Sequence, residues 1–164
     1  MDFKFTEAQE QLRKQVRDFL EGELKKGSFQ THCDAWMGGY SREFSKKMGE
    51  KGWIGVCWPK DRYGQGKSYI DRLVITEEIV RYGAPAAAHW FADRQMGPSI
   101  LKHGTKEQQD FFLPRIVKGE LCFGIGMSEP GAGCDLASLR TKAVLDGDYY
   151  VINGQKVWTS GAQH

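Results

Sequence analysis

The sequence lacks the features that most readily declare a function. It has no uninterrupted apolar run of about 18 residues, the minimum for a membrane-spanning helix, and Met1-Asp2-Phe3-Lys4 has neither the basic flank nor the apolar stretch of a signal peptide. A soluble, cytoplasmic protein with no membrane partner is the expectation. Charge of one sign is also missing: 23 Lys and Arg stand against 21 Asp and Glu, interspersed rather than gathered, so nothing resembles a nucleic-acid-binding stripe. The four cysteines, Cys33, Cys57, Cys122 and Cys134, are far apart and form no C-x-x-C pair, which argues against a zinc site or a redox dithiol. Internal repeats and low-complexity tracts are absent too. So are the G-x-x-x-x-G-K-S/T phosphate loop and the G-x-G-x-x-G dinucleotide fingerprint, since Gly131-Ala132-Gly133-Cys134-Asp135-Leu136 has no third glycine.

What remains is an ordinary globular composition, 40% hydrophobic over 164 residues, with one excess: 20 glycines. The first 120 residues read as helices. Thr6-Glu7-Ala8-Gln9 and Thr105-Lys106-Glu107-Gln108 have the S/T-x-x-E/Q form that satisfies the free amides of a helix start. Leu12, Val16, Phe19, Leu20 and Leu24 recur at spacings of three and four and predict an amphipathic helix ending at Gly27. Ser41 predicts a cap for a helix through Phe44 and Met48 to Lys51, with Gly52 as its left-handed exit and Trp53 folding back on Met48. Ser68 opens a third helix, and Ile70, Leu73, Val74, Ile75, Ile79 and Val80 give it a face broad enough to predict a central position in a bundle. Pro98 is expected to kink or divide a helix over 86–101, and Pro114 to disturb the one opened by Thr105.

From residue 121 the pattern changes. Residues 121–127 alternate large apolar side chains with Cys or Gly, as a strand does, and 139–145, 149–152 and 156–159 extend this into an antiparallel meander. Asp146-Gly147-Asp148 and Asn153-Gly154 are the turns. The chain thus reads as an α+β protein: an all-α bundle over 1–120, then over 121–164 the first antiparallel strands of a second domain. The loop Ser128-Glu129-Pro130-Gly131-Ala132-Gly133-Cys134-Asp135 lies between strands, and its glycines let backbone amides approach a flat or anionic ligand.

That loop, followed by Asp146-Gly147-Asp148, Ile152-Asn153-Gly154-Gln155-Lys156 and Trp158-Thr159-Ser160, closely resembles the middle domain of acyl-CoA dehydrogenases, whose signature T/S-E-P-x-A-G-S-D precedes D-G-x-x-Y-x-I/L/V-N-G-x-K-x-W-I-T/S-N. Thr6-Glu7-Ala8-Gln9, Gly52-Trp53-Ile54-Gly55, Pro59 and Gly104-Thr105-Lys106-Glu107-Gln108 with Leu113-Pro114 look like landmarks of the same family. The resemblance implies a β-barrel-like middle domain and FAD bound by Ile125, Met127, Ser128, Gly133, Cys134, Trp158, Thr159 and Ser160, with Cys134 also near the acyl-CoA. It implies a hydroxyl at Ser160 donating to the hydride-accepting ring nitrogen, and Trp158 over a ring face. Residues 86–100 would border the acyl tail, making His89, Trp90, Phe91, Arg94 and Gln95 weaker candidates. Cys134 departs from the usual Ser, Gly161 from Asn, and Gly64-Gln65-Gly66 from an adjacent glycine pair.

The family removes hydrogens from the α and β carbons of an acyl-CoA and passes electrons to an electron-transfer flavoprotein. Its base is a Glu of a C-terminal helical domain, so no catalytic residue is expected within 1–164, and Glu77, Glu78 and Glu129 are read as scaffold. The expectation is therefore a fragment, inactive alone, of a parent that forms a homo-oligomer, a tetramer or dimer. Its unfinished sheet is expected to pack poorly or pair with another copy near 156–160. A short non-catalytic paralogue binding an acyl chain or a full-length partner is the alternative, with acyl-CoA oxidases and flavin-dependent monooxygenases as relatives of the same fold.

Overall fold

A computed structural model describes residues 4–164. They form two compact units that divide between Phe123 and Gly124, a helical one and one built on a β-hairpin.

The helical unit contains α1 (Glu7–Lys25), α2 (Ala35–Gly38), α3 (Arg42–Glu50), α4 (Tyr69–Arg81), α5 (Ala87–Phe91), α6 (Gly97–His103) and α7 (Lys106–Val117). Its starts follow the local chemistry. Thr6, Ser68 and Thr105 each accept from the amide three residues on, and Gln9, Asp71 and Gln108 reach back to the cap. Ser41 caps α3 through the Phe44 amide at 3.2 Å. At the other end of α3, Gly52 takes φ 69° and the Trp53 amide returns to the Met48 carbonyl at 3.0 Å, the reversal its sequence predicts.

The core joins Leu12, Val16 and Leu20 of α1 to Phe44 and Met48 of α3, Val74, Ile75 and Ile79 of α4, and Leu113 and Ile116 of α7. Trp53, Ile54, Val56 and Trp58 of the connector fill the same core. Burying aliphatic and aromatic side chains of this size stabilises by about 1.5–3 kcal/mol each, which outweighs the weak intrinsic propensity of the shorter helices.

Several expectations need correction. The broad apolar face of α4 is only half used: Val74, Ile75 and Ile79 are in the core, whereas Ile70, Leu73 and Val80 remain 46%, 44% and 52% exposed. Pro98 does not divide its helix at its own position; the widened π-turn Ala92–Met96 comes first and leaves the proline in the opening turn of α6, where a missing amide costs little. α7 runs on through Pro114. Finally, residues 121–127 are not a strand. Leu121 and Phe123 pack on the helical core, with the Phe123 ring 6.1 Å from that of Phe112, so the start of this alternation serves the first unit.

In the second unit the meander reduces to one antiparallel hairpin, β1 (Lys142–Asp146) and β2 (Tyr149–Asn153), paired from Lys142↔Asn153 to Asp146↔Tyr149 across a two-residue loop in which Gly147 takes φ 60°. Every residue of both strands is exposed. Residues 156–159 are not a strand, and Asn153-Gly154 does not close a second hairpin. Chain 124–128 runs beside 156–162 instead, joined by a hydrogen bond from the Val157 amide to the Ser128 carbonyl at 2.9 Å.

Candidate functional site

The loop at 128–135 is held by its own sequence. Glu129 and Ala132 exchange both backbone hydrogen bonds, at 2.9 and 3.1 Å, and so close a tight turn over Pro130-Gly131. The buried Glu129 carboxylate accepts from the amides of Arg140 at 2.7 Å and Thr141 at 2.9 Å and from the Lys156 ammonium at 3.0 Å. Lys156 also donates to the Met127 carbonyl at 2.9 Å. The Thr141 hydroxyl, these two amides and Lys156 together hold the Glu129 carboxyl down to about 2. One carboxylate and one ammonium thereby clasp the loop, the start of β1 and the chain after β2. Glu129 is scaffold, as its place in the loop suggests; Lys156 as its partner was not evident, because residues 27 apart carry no spacing signal.

Of the residues expected to meet the cofactor, the structure brings one group together. A Cβ built on Gly126 would lie 3.4 Å from the Thr159 hydroxyl, and one on Gly124 3.4 Å from the Ser160 carbonyl, so 125–128 and 157–160 are adjacent. Among the described residues, no protein group engages the hydroxyls of Ser128, Thr159 or Ser160. Met127 is exposed and Trp158 is 89% exposed, the latter at φ 58°, a conformation costly for a bulky side chain. Ile125 is half-buried in the same stretch. Gly133 and Cys134 lie beyond the Glu129–Ala132 turn, both exposed, and no hydrogen bond joins them to 158–160. A Cβ on Gly131 or Gly133 would meet open space. Neither glycine is required by internal packing or by positive φ, and the space beside both is open to an outside group. Three uncommitted hydroxyls, an exposed indole and an open glycine limb fit a flat ring rich in hydrogen-bond acceptors.

The helical unit offers no comparable group among the weaker candidates. His89 is core: its Nδ1 lies 2.8 Å from the Ser45 hydroxyl, and burial pushes the ring down to about 4, so it is neutral at physiological pH. Arg94 pairs with buried Asp93 at 3.0 Å, donates to Thr76 at 2.7 Å and lies over the Trp90 ring. Burial raises the Asp93 carboxyl, against the pull of Arg94 and of the Gly55 amide that donates to it at 2.8 Å. Phe91 is half-buried and Gln95 exposed. Glu78 is 1% exposed and accepts from Arg13 at 3.1 Å and from Arg17 at 2.9 and 3.2 Å; burial pushes its carboxyl up, but Arg17 and Arg13 pull it further down. Glu77 pairs with Arg13 at 2.9 Å. Among the described residues no group of three His, Cys, Asp or Glu could hold a metal ion, and no helix is long and apolar enough to cross a membrane.

Comparison with known proteins places the chain in a family. The family model for the N-terminal domain of acyl-CoA dehydrogenases matches residues 6–120, and that for the middle domain matches 124–164. Acyl-CoA dehydrogenase FadE26 of Mycobacterium tuberculosis is 44% identical over 168 residues, covering 100% of this chain and 42% of the relative. Among solved structures, the ChsE4-ChsE5 complex from Mycobacterium tuberculosis matches with a TM-score of 0.84 at 43% identity, over 99% of this chain and 41% of that one. The "Tcur3481-Tcur3483 steroid ACAD" matches at 0.83 and 40%, over 99% and 42%. The chain spans about two fifths of the length of these relatives. It belongs to the acyl-CoA dehydrogenase family, an oxidoreductase family, and carries the N-terminal domain and part of the middle domain.

Proposed function

We propose that the chain contributes the helical domain and the flavin-facing start of the middle domain to a FAD-dependent acyl-CoA dehydrogenase. The observation that carries this reading is the alignment of 124–128 with 156–162, which gathers the uncommitted hydroxyls of Ser128, Thr159 and Ser160 beside exposed Met127 and Trp158. Bound FAD would supply the hydride acceptor for removal of hydrogen from the α and β carbons of an acyl-CoA.

The chain's own residues have separate parts in this. Ser128, Thr159 and Ser160 donate to acceptor atoms along the ring, and a fixed donor where negative charge develops stabilises that charge. Trp158 covers a ring face and excludes water. Gly133 and Cys134 would border the FAD, and Cys134, a weaker donor than the family's serine, would also lie near the acyl-CoA. The Lys156–Glu129 clasp keeps the Met127 carbonyl and the loop in register with 157–160.

Proton abstraction needs a carboxylate free to accept. Glu78 is held by two arginines and Glu129 by its clasp, so neither is free to take the proton, in keeping with the family resemblance, which puts the base on a Glu of another domain. The enzyme's electrons would pass to an electron-transfer flavoprotein. Oligomerisation follows the family, and the ChsE4-ChsE5 match favours assembly with a second kind of chain over a homo-oligomer alone. The steroid ACAD match widens the acyl group to be tested to steroid-bearing chains.

The purified chain is expected to be colourless, to bind added FAD weakly, and to show no acyl-CoA-dependent loss of flavin absorbance. Titrated FAD should quench the indole fluorescence, with most of that quenching gone in Trp158→Phe. Equal quenching in the variant would contradict the placement of the ring.

A further inference from the structure

A cleft of about 350 Å³ opens in the helical unit between the connector, the start of α4 and α6, lined by Trp58, Tyr69, Arg72, Pro98, Leu101 and Lys102. Its volume is within the range of small-molecule sites, roughly 300–1,000 Å³. The residues around it have a specific deficit. Trp58 is 4% exposed, yet its indole Nε1 has no hydrogen-bond partner. A Cβ built on Gly55 would fall 3.2 Å from Cε3, and one on Gly97 2.0 Å from Cζ2, so these two glycines wall the six-membered ring. Trp58 is itself one of the residues lining the cleft, so its unsatisfied N–H lies just behind the cleft wall. A buried donor without an acceptor costs about 1–3 kcal/mol, and native proteins retain few of them.

The charges beside it are unbalanced in one direction. Arg72 stacks on the Tyr69 ring at 4.8 Å, and neither it nor Lys102 is in an ion pair among the described residues. Arg94 is close enough to repel Arg72, but its charge is offset by Asp93, so Arg72 and Lys102 are the cations left to the cleft. The acids of the region are committed elsewhere: Asp93 to Arg94 and the Gly55 amide, Asp71 to the amide and hydroxyl of Ser68. The Cys57 thiol donates to the Ser68 carbonyl at 3.4 Å, and burial raises its pKa, so it contributes no negative charge. The walls are otherwise apolar: the Tyr69 ring, Pro98 and Leu101.

We propose that this cleft binds a small anion, a carboxylate or phosphate, on an aryl or similarly flat apolar body. Arg72 and Lys102 pair with the anionic group, the Trp58 N–H donates to it, and the apolar body rests on Pro98 and Leu101. The site lies wholly within the helical unit and is independent of the flavin-facing residues.

The test is a titration of the full 164-residue chain with benzoate, phenyl phosphate and the uncharged analogue benzyl alcohol. The readout is the Trp58 indole N–H proton resonance, assigned by its loss in Trp58→Phe. The expected result is a saturable downfield shift with at least one of the two acids, and none with the alcohol; which acid binds more tightly identifies the anionic group. Arg72→Gln, at a half-buried position, and Lys102→Gln, at an exposed one, should each weaken binding roughly tenfold, the usual worth of a charge-assisted contact. No saturable shift with either acid, an equal shift with the alcohol, or unchanged affinity in the Arg72→Gln, Lys102→Gln double variant would overturn the proposal.

Discussion

Replacing Glu78 by alanine is expected to destabilise the helical unit by about 3 kcal/mol, the lower end of the cost of breaking a buried ion pair. Glu78 lies on α4 and faces Arg13 and Arg17, which stand one turn apart on α1, so a single carboxylate fastens the two helices. Without it, Arg17 loses the carboxylate it donates to, and Arg13 keeps the more exposed Glu77 at 2.9 Å. Their side chains, 16% and 36% exposed, can partly rehydrate, which keeps the cost at the lower end. Arg81 approaches the same carboxylate at 4.0 Å from the surface, and Arg81→Gln should cost less than about 1 kcal/mol. Urea unfolding followed by far-ultraviolet circular dichroism measures both. A loss below about 1 kcal/mol in Glu78→Ala would mean that the network adds little beyond the surrounding apolar contacts.

The second large effect is expected at Gly97. Its φ of −57° is ordinary helix, so conformational freedom is not why glycine stands there, and alanine should gain about 1 kcal/mol from helix propensity. The opposing term is larger. The new Cβ would fall 2.0 Å from Cζ2 and 2.3 Å from Cη2 of the Trp58 indole, a buried ring with Gly55 on another edge. Overpacking of this kind costs about 1–3 kcal/mol or more, and the ring has little room to retreat, so Gly97→Ala should be destabilised by about 2 kcal/mol net. The steric cause is separable from a backbone cause by a double-mutant cycle: with Trp58→Leu, most of the Gly97→Ala penalty should vanish. A penalty that persists there would place the constraint in the π-turn before α6 instead.

These two sites also show how much of the molecule was legible in its residues. The helix starts were, because a capping box is local chemistry and Thr6, Ser68 and Thr105 each carry theirs within four positions. The Arg13–Arg17–Glu78 fastening was not. Glu78 read as a residue of a bundle helix, and nothing local announces two arginines 61 and 65 positions away. The strands at 121–127 and 156–159 were overread for a related reason: alternation defines two faces, but a strand exists only where a second chain completes its ladder. The breadth of the α4 apolar face said how much surface could be buried and not how much is, so Ile70, Leu73 and Val80 were misplaced.

The candidate site divides in the same way. The motif 128–135 and the Trp158-Thr159-Ser160 segment were recognisable as family landmarks, yet only the fold shows Ser128, Thr159 and Ser160 without partners among the described residues. The clasp that sets their register, Lys156 on Met127 and Glu129, depends on residues far apart in the chain.

The central claim is that 125–128 and 157–160 form the face presented to FAD. Hydrogen exchange of the chain with and without excess FAD tests it most directly. The account predicts slower exchange at 125–128 and 157–160 and no change at the buried amides of α1, α4 and α7. Protection confined to the helical unit, with those two segments exchanging as before, would contradict it.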